Sequence, residues 1–282
     1  MTKKLIENQV IAFLGNDDSP DISNPIHSTE VAQAYGFAGA LVGGVTVWGW
    51  ASDTIVEALG KEWIENGWSE FSFRQPTFPG DKLTITATPN DDKNISSWNV
   101  SMVNQSGILC VIGEVGLNNA PWIDELVKPT EMAPTDNPDK GELTLEGTST
   151  PADWLAMEVN FSEELCNEFT TQKQILGNSL FTGKKGIAHP SWVAGWGEQL
   201  LRHNYSVPSS MHTKSRVQHR KSVKVGDSII GGAHLLDVYE RKAHHFANFD
   251  VLLRDQDGLE VAQLRHWTIF KIATTEEREN LA

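Results

Sequence analysis

The chain has 282 residues, 39% of them hydrophobic and 21% charged, enough apolar material for two modest cores or one large one. Its formal net charge of −14 argues against nucleic acid as a partner, which needs a basic face, and against a polybasic membrane patch. No stretch approaches the ~20 apolar residues of a transmembrane helix. Met1–Asn8 lacks the apolar core of a secretory signal, and Cys110 and Cys166, the two cysteines, belong to no CxxC pair. A soluble cytoplasmic protein without disulfide or metal centre is expected.

In chain order, a turn-rich segment up to Phe37 is followed by Gly43-Gly44 and then a helix over Val45–Leu59. Val47, Trp50, Ile55 and Leu59 give that helix its apolar stripe. Leu83, Ile85 and Ala87, then Trp98, Val100 and Met102, alternate with polar residues, the pattern of half-buried antiparallel strands. Asn104–Gly107 reads as the hairpin turn that joins strands, with Gly supplying positive φ. Lys128–Pro151, rich in Pro, Thr, Asp and Gly, reads as a linker. A short helix is expected over Ser162–Phe169, with Ser162 as N-cap and Glu163 and Glu164 in its first turn. Another follows over Ser191–Asn204, then a strand carrying Phe249, Val251 and Leu253, and a second hairpin turn at Asp255–Gly258. The polar tail from Thr274 is expected to fray.

The second half repeats the first. At an offset of 146 and without a gap, Gly49 falls on Gly195, Trp50 on Trp196, Ser69 on Ser215, Arg74 on Arg220, and Gly80-Asp81 on Gly226-Asp227. One helix followed by an antiparallel meander, twice over, is an α+β pattern. The expected units are residues 1–127, a linker 128–150, and residues 151–282.

One segment carries chemistry. Asn24-Pro25-Ile26-His27, a spacer with Ala34 and Gly36-Phe37, then Gly43-Gly44 at a helix start, resembles the hydratase motif of MaoC-like proteins and (R)-specific enoyl-CoA hydratases. About thirty residues match closely. Arg74, Pro76, Gly80 and Asp81 extend the likeness loosely. The resemblance implies a double hotdog, two antiparallel sheets each wrapping a central helix. It also implies reversible addition of water to an enoyl thioester, with a CoA thioester as substrate and no separate cofactor. It makes His27 the general acid/base, Asn24 the residue that orients the site, and the Gly44 N–H a donor to the thioester oxygen.

Two positions depart from the motif. The family places an Asp two residues before the Asn, where this chain has Ile22. Asp21, one residue earlier, is the nearest substitute, with Asp17, Asp18 and Glu30 as others. Gly43 stands where the family has His. Gly43 and Tyr35 are further candidates to line a substrate pocket, although Tyr35 fits plain core packing better.

One site is expected, not two. At the same offset His27 falls on Lys173, and Gly44 falls on Pro190, which has no N–H to offer. The second half carries instead a basic run from Lys214 to Lys224. Arg216, Arg220 and Lys221, with Arg74 from the first half, are candidates to bind the phosphates of CoA. A solvated strand face is the plainer reading for each of them. His244-His245 lacks a third ligand. The competing readings are a hotdog thioesterase using an acid such as Glu57, a non-catalytic acyl-binding protein, and a lyase acting on an unsaturated acid that is not a CoA ester. Either a monomer or a homodimer of double hotdogs satisfies the sheet pairing.

Overall fold

The alternating segments assemble into a single antiparallel sheet, seen in a computed structural model that describes residues 5–15, 24–90, 97–174 and 179–280. In the first half, β1 (Ile6–Ile11) pairs with β3 (Lys82–Asn90), followed by β4 (Ser97–Val103), β5 (Leu109–Leu117) and β2 (Gly67–Phe73). A two-stranded parallel pair, β6 (Gly141–Glu142) with β9 (Tyr205–Ser206), stands apart. In the second half, β10 (Met211–His219) neighbours β13 (Glu260–Lys271), then β12 (His244–Asp255) and β11 (Ser228–Arg241). The outer edge of β11 takes the short β7 (Ala152–Asp153) and β8 (Met157–Asn160). Antiparallel pairing of β2 with β10 joins the halves into eleven continuous strands.

The inward residues are those the alternation names. Leu83, Ile85, Ala87, Trp98, Val100 and Met102 are all buried. Against them lie two central helices, each broken once. The first is α2 (Gly44–Gly49) and α3 (Ser52–Leu59), after the short α1 (Thr29–Ala34) and before α4 (Glu62–Asn66). The second, preceded by α5 (Glu163–Phe169), is α6 (Pro190–Ala194) and α7 (Trp196–Asn204). Trp48 stacks on Phe71 with ring centroids 4.3 Å apart, fixing α2 on the sheet. Where the two helices approach, Gly49 has no room for a side chain. A Cβ there would lie 2.6 Å from Ser191 Oγ. This close approach is the physical reason for the first glycine of the repeated Gly-Trp pair.

The repeat offset holds through both central helices and the first two strands of each half, then slips. β11 has 14 residues where β3 has 9, so the turn ending at Gly258 has drifted relative to the one ending at Gly107. Both glycines have positive φ, 75° and 78°, as the hairpins require. At the seam Glu70 sits directly opposite Arg216, its counterpart at the same offset, and the two form an ion pair at 2.7 Å. The linker is laid against the second half, with Pro134 bridged to Ala156 and Lys128 paired with Glu260.

Ser162 caps α5 as expected, accepting from Leu165 N. The C-terminal expectation needs correction. Instead of fraying at Thr274, the chain forms α8 (Thr275–Glu279), closed by a capping box between Thr274 and Glu277. Arg278 then anchors it by donating to the Tyr35 carbonyl at 2.7 Å. Both cysteines are free and buried. No described helix is long and apolar enough to cross a membrane. The expected two sheets are one, continuous through the β2–β10 pairing, and each half of it wraps a central helix; the arrangement is a double hotdog.

Candidate active site

Pro25 starts a single 3-10 turn, Pro25–His27, since its fixed φ suits a first helical position and its missing N–H costs nothing there. That turn presents His27 to a cavity of about 810 Å³ between the halves. His27 Nδ1 lies 2.7 Å from the Leu41 carbonyl. A carbonyl only accepts, so Nδ1 carries the proton and Nε2 is left with its lone pair. Burial pushes the imidazole pKa below its ordinary value, against the opposing pulls of the Leu41 carbonyl and the Glu198 charge. A neutral imidazole with Nε2 as acceptor is the form that takes a proton from water.

The start of α2 faces this nitrogen. A Cβ on Gly43 would lie 3.5 Å from His27 Nε2. The first N–H groups of a helix have no intrahelical acceptor, and Gly43, Gly44 and Val45 line the cavity. A Cβ on Gly44 would come within 2.9 Å of the Phe73 ring, which would have to shift to admit it.

The second half supplies the opposite wall. Asn24 donates from Nδ2 to Ser210 O at 3.0 Å and Ser210 Oγ at 3.2 Å, and Ser210 N donates back to Asn24 Oδ1 at 3.2 Å. The same Nδ2 lies 3.5 Å from His27 Nε2. Ser210 Oγ donates to Glu198 Oε1 at 2.5 Å, and Arg202 Nε holds that same oxygen at 2.6 Å. Glu198 and Arg202 both project from α7 into the cavity, and Lys173 reaches it from the turn after α5. Deeper, His212 and His266 stack at 4.0 Å. Burial pushes His212 down to about 3 and His266 well below its ordinary value, so both are neutral. Phe73, Trp192 and Met211 add apolar surface.

The structure brings together His27, Asn24, Gly43, Gly44 and, at the exposed rim, Arg74. It does not bring the other candidates there. Tyr35 packs with Ile26, Leu41 and Ile272 in a small separate cluster. Arg216, Arg220 and Lys221 do not line this cavity and have partners elsewhere. Arg216 pairs with Glu70 and Glu125, Arg220 donates to Asn119 Oδ1 at 2.6 Å, and Lys221 pairs with the buried Asp255. Glu57 is exposed and outside the cavity. Asp21, Asp17 and Asp18 lie outside the described residues. Among those described, no group of three His, Cys, Asp or Glu is placed to hold a metal. Glu198, Arg202 and Ser210 escape sequence reading, although Glu198 and Arg202 stand at i and i+4 on a predicted helix, a spacing that pairs them.

No family model and no curated protein matches the chain. Solved structures do. A protein called a MaoC domain dehydratase from Chloroflexus aurantiacus superposes with a TM-score of 0.66 at 14% identity, covering 97% of this chain and 96% of the other. A conserved hypothetical protein of Mycobacterium tuberculosis with a double hotdog fold gives 0.62 at 11% identity, covering 95% and 96%. A MaoC-like dehydratase gives 0.57 at 12%, covering 93% and 97%. This chain is therefore a double hotdog protein. Its structural neighbours over nearly the full length include MaoC-like dehydratases.

Proposed function

We propose that the protein is a hydro-lyase that adds water to, or removes it from, the double bond of an enoyl or 3-hydroxyacyl thioester at a single site between the halves. One observation carries this reading: His27, fixed by Leu41 as the tautomer whose Nε2 accepts, lines the cavity against Gly43 at the start of α2, with Asn24 Nδ2 3.5 Å from that nitrogen. Water bound at Nε2 gives up one proton to the imidazole as its oxygen bonds to C3 of the enoyl group. The π electrons move toward C2 and charge gathers on the thioester oxygen, to which the Gly44 N–H donates in this reading. C2 then takes its proton from the imidazolium, completing addition of one water. Asn24 holds the His27 turn against the second half, and we assign Arg74, at the rim, to the CoA portion.

A second reading, thioester hydrolysis, draws on Glu198, a carboxylate on a central helix in the same cavity. The two separate by product. Incubation with enoyl-CoAs of short, medium and long chain is followed both by enoyl absorbance and by release of free thiol. The hydro-lyase reading expects absorbance to fall without thiol. Thiol release matching the substrate consumed establishes hydrolysis instead, and tight binding without either change indicates an acyl-binding protein.

A further inference from the structure

The motif leaves the site one carboxylate short, and Ile22 stands where the acid is expected. The structure places another carboxylate in the same cavity, from the opposite half. We infer that Glu198 is the carboxylate of the catalytic centre, accepting the second O–H of the reacting water. This rests on the hydro-lyase reading and says which residue completes it.

The argument is geometric. Glu198 lies on α7, the central helix of the half that lacks the His27 motif, and lines the same cavity as His27. Its Oε1 is fixed by two donors, Arg202 Nε at 2.6 Å and Ser210 Oγ at 2.5 Å. No described residue donates to Oε2, which leaves a lone-pair acceptor on a rigidly held group. The fixing residues are shared with the other side of the site, since Ser210 is also the partner of Asn24. One hydrogen-bonded chain, Asn24 to Ser210 to Glu198, therefore sets the carboxylate relative to the His27 turn. At the repeat offset Glu198 falls on Ser52, which is fully buried. The carboxylate thus belongs to the second half alone, as the Asn-Pro-x-His segment belongs to the first. Each half supplies one component, and neither is complete without the other.

The chemistry follows. Water needs an acceptor for each O–H so that one lone pair of its oxygen points at C3. His27 Nε2 takes the proton that is transferred, and Glu198 Oε2 accepts the second O–H without taking its proton. Once the imidazolium forms, the carboxylate stabilises it by charge. Other charges face His27 too: Arg202 on α7 and Lys173 oppose imidazolium formation, while Glu168 and Arg74 line the same cavity. The stacked His212 and His266 are neutral.

The test compares wild type with Glu198→Gln, which keeps an acceptor for Ser210 but loses the charge, and with Asp21→Asn. On whichever enoyl-CoA wild type hydrates best, Glu198→Gln lowers kcat by ~10²-fold or more with KM nearly unchanged. Asp21→Asn stays within about threefold, well short of a general acid–base loss. The acid limb of the kcat/KM profile moves to lower pH in Glu198→Gln, because His27 loses the charge that raises its pKa. That limb reports the Glu198 charge at His27, whereas the loss of kcat at nearly unchanged KM reports its part in the reaction; a role in folding alone lowers the denaturation midpoint instead. NMR titration of His27 reads the same shift without substrate. An unchanged His27 titration, or full kcat in Glu198→Gln while His27→Ala is inactive, overturns the assignment and leaves the hydro-lyase reading standing. Loss in Asp21→Asn alone passes the role to Asp21. A wild type that hydrates no enoyl-CoA defeats the reading and the assignment with it.

Discussion

Replacing Asn24 with Ala tests whether the two halves are tied together at the site. Asn24 is 9% exposed and Ser210 is 2% exposed, so their bonds form away from water. The substitution removes the three hydrogen bonds to Ser210, at 3.0, 3.2 and 3.2 Å, and the 3.5 Å contact with His27 Nε2, and takes the Asn24 partner from both the N–H and C=O of Ser210. At about 1 kcal/mol per bond, with more where a buried group goes unpaired, the loss comes to about 3 kcal/mol. Urea denaturation of wild type and variant reads this as a lower midpoint at unchanged m. Hydration activity falls with it, by ~10-fold or more, because the His27 turn loses its anchor. A stability loss below about 1 kcal/mol together with unchanged hydration would falsify the claim that this contact organises the site.

Other perturbations separate site from scaffold. Gly44→Ala forces the Phe73 ring to move, whereas Gly43→Ala makes only ordinary contact with His27, so Gly44→Ala has the larger effect on kcat/KM, and pairing it with Phe73→Leu recovers part of the loss. Arg216→Ala leaves KM for a CoA thioester unchanged and costs about 1 kcal/mol of stability, since its carboxylate partners are at the seam; a several-fold rise in KM returns Arg216 to substrate binding. Acid weakens the fold early. His189 and His212 are pushed down to about 3 and His219 to about 4 by burial. Between those values and the ordinary 6.5 the unfolded chain binds protons that the folded chain refuses, so stability falls as pH drops through that window. Each such histidine contributes up to about 1.4 kcal/mol per pH unit. Denaturation midpoints that hold constant from pH 7 to pH 5 contradict neutral buried imidazoles.

Much of the fold is legible because its signals are local. Leu83, Ile85 and Ala87 point inward simply by alternating, and Gly107 and Gly258 mark hairpins because positive φ is cheap only for glycine. The first wall of the site is legible for the same reason: Asn24, His27, Gly43 and Gly44 lie within one short stretch. The second wall is not. Ser210 meets Asn24 across 186 positions, and nothing near Glu198 distinguishes an inward carboxylate from a solvated one. The basic run from Lys214 misleads because its partners come from other segments, Glu70 on the neighbouring strand and Glu125 before the linker. Lys214, Arg216 and Lys221 of that run meet carboxylates that the sequence keeps far from them, while Arg220 meets the Asn119 amide. The tail misleads in the opposite direction, since a capping box and one contact from Arg278 suffice to order five polar residues.

The central claim, that one site built on His27 adds water to an enoyl thioester, is tested most directly by steady-state hydration of the best enoyl-CoA substrate with wild type and His27→Ala. Both proteins are first shown to unfold cooperatively at similar denaturant. The account predicts that His27→Ala loses ~10²- to 10⁴-fold in kcat, the contribution of a positioned general acid–base group. Activity within about threefold of wild type contradicts it and moves the chemistry away from this cavity.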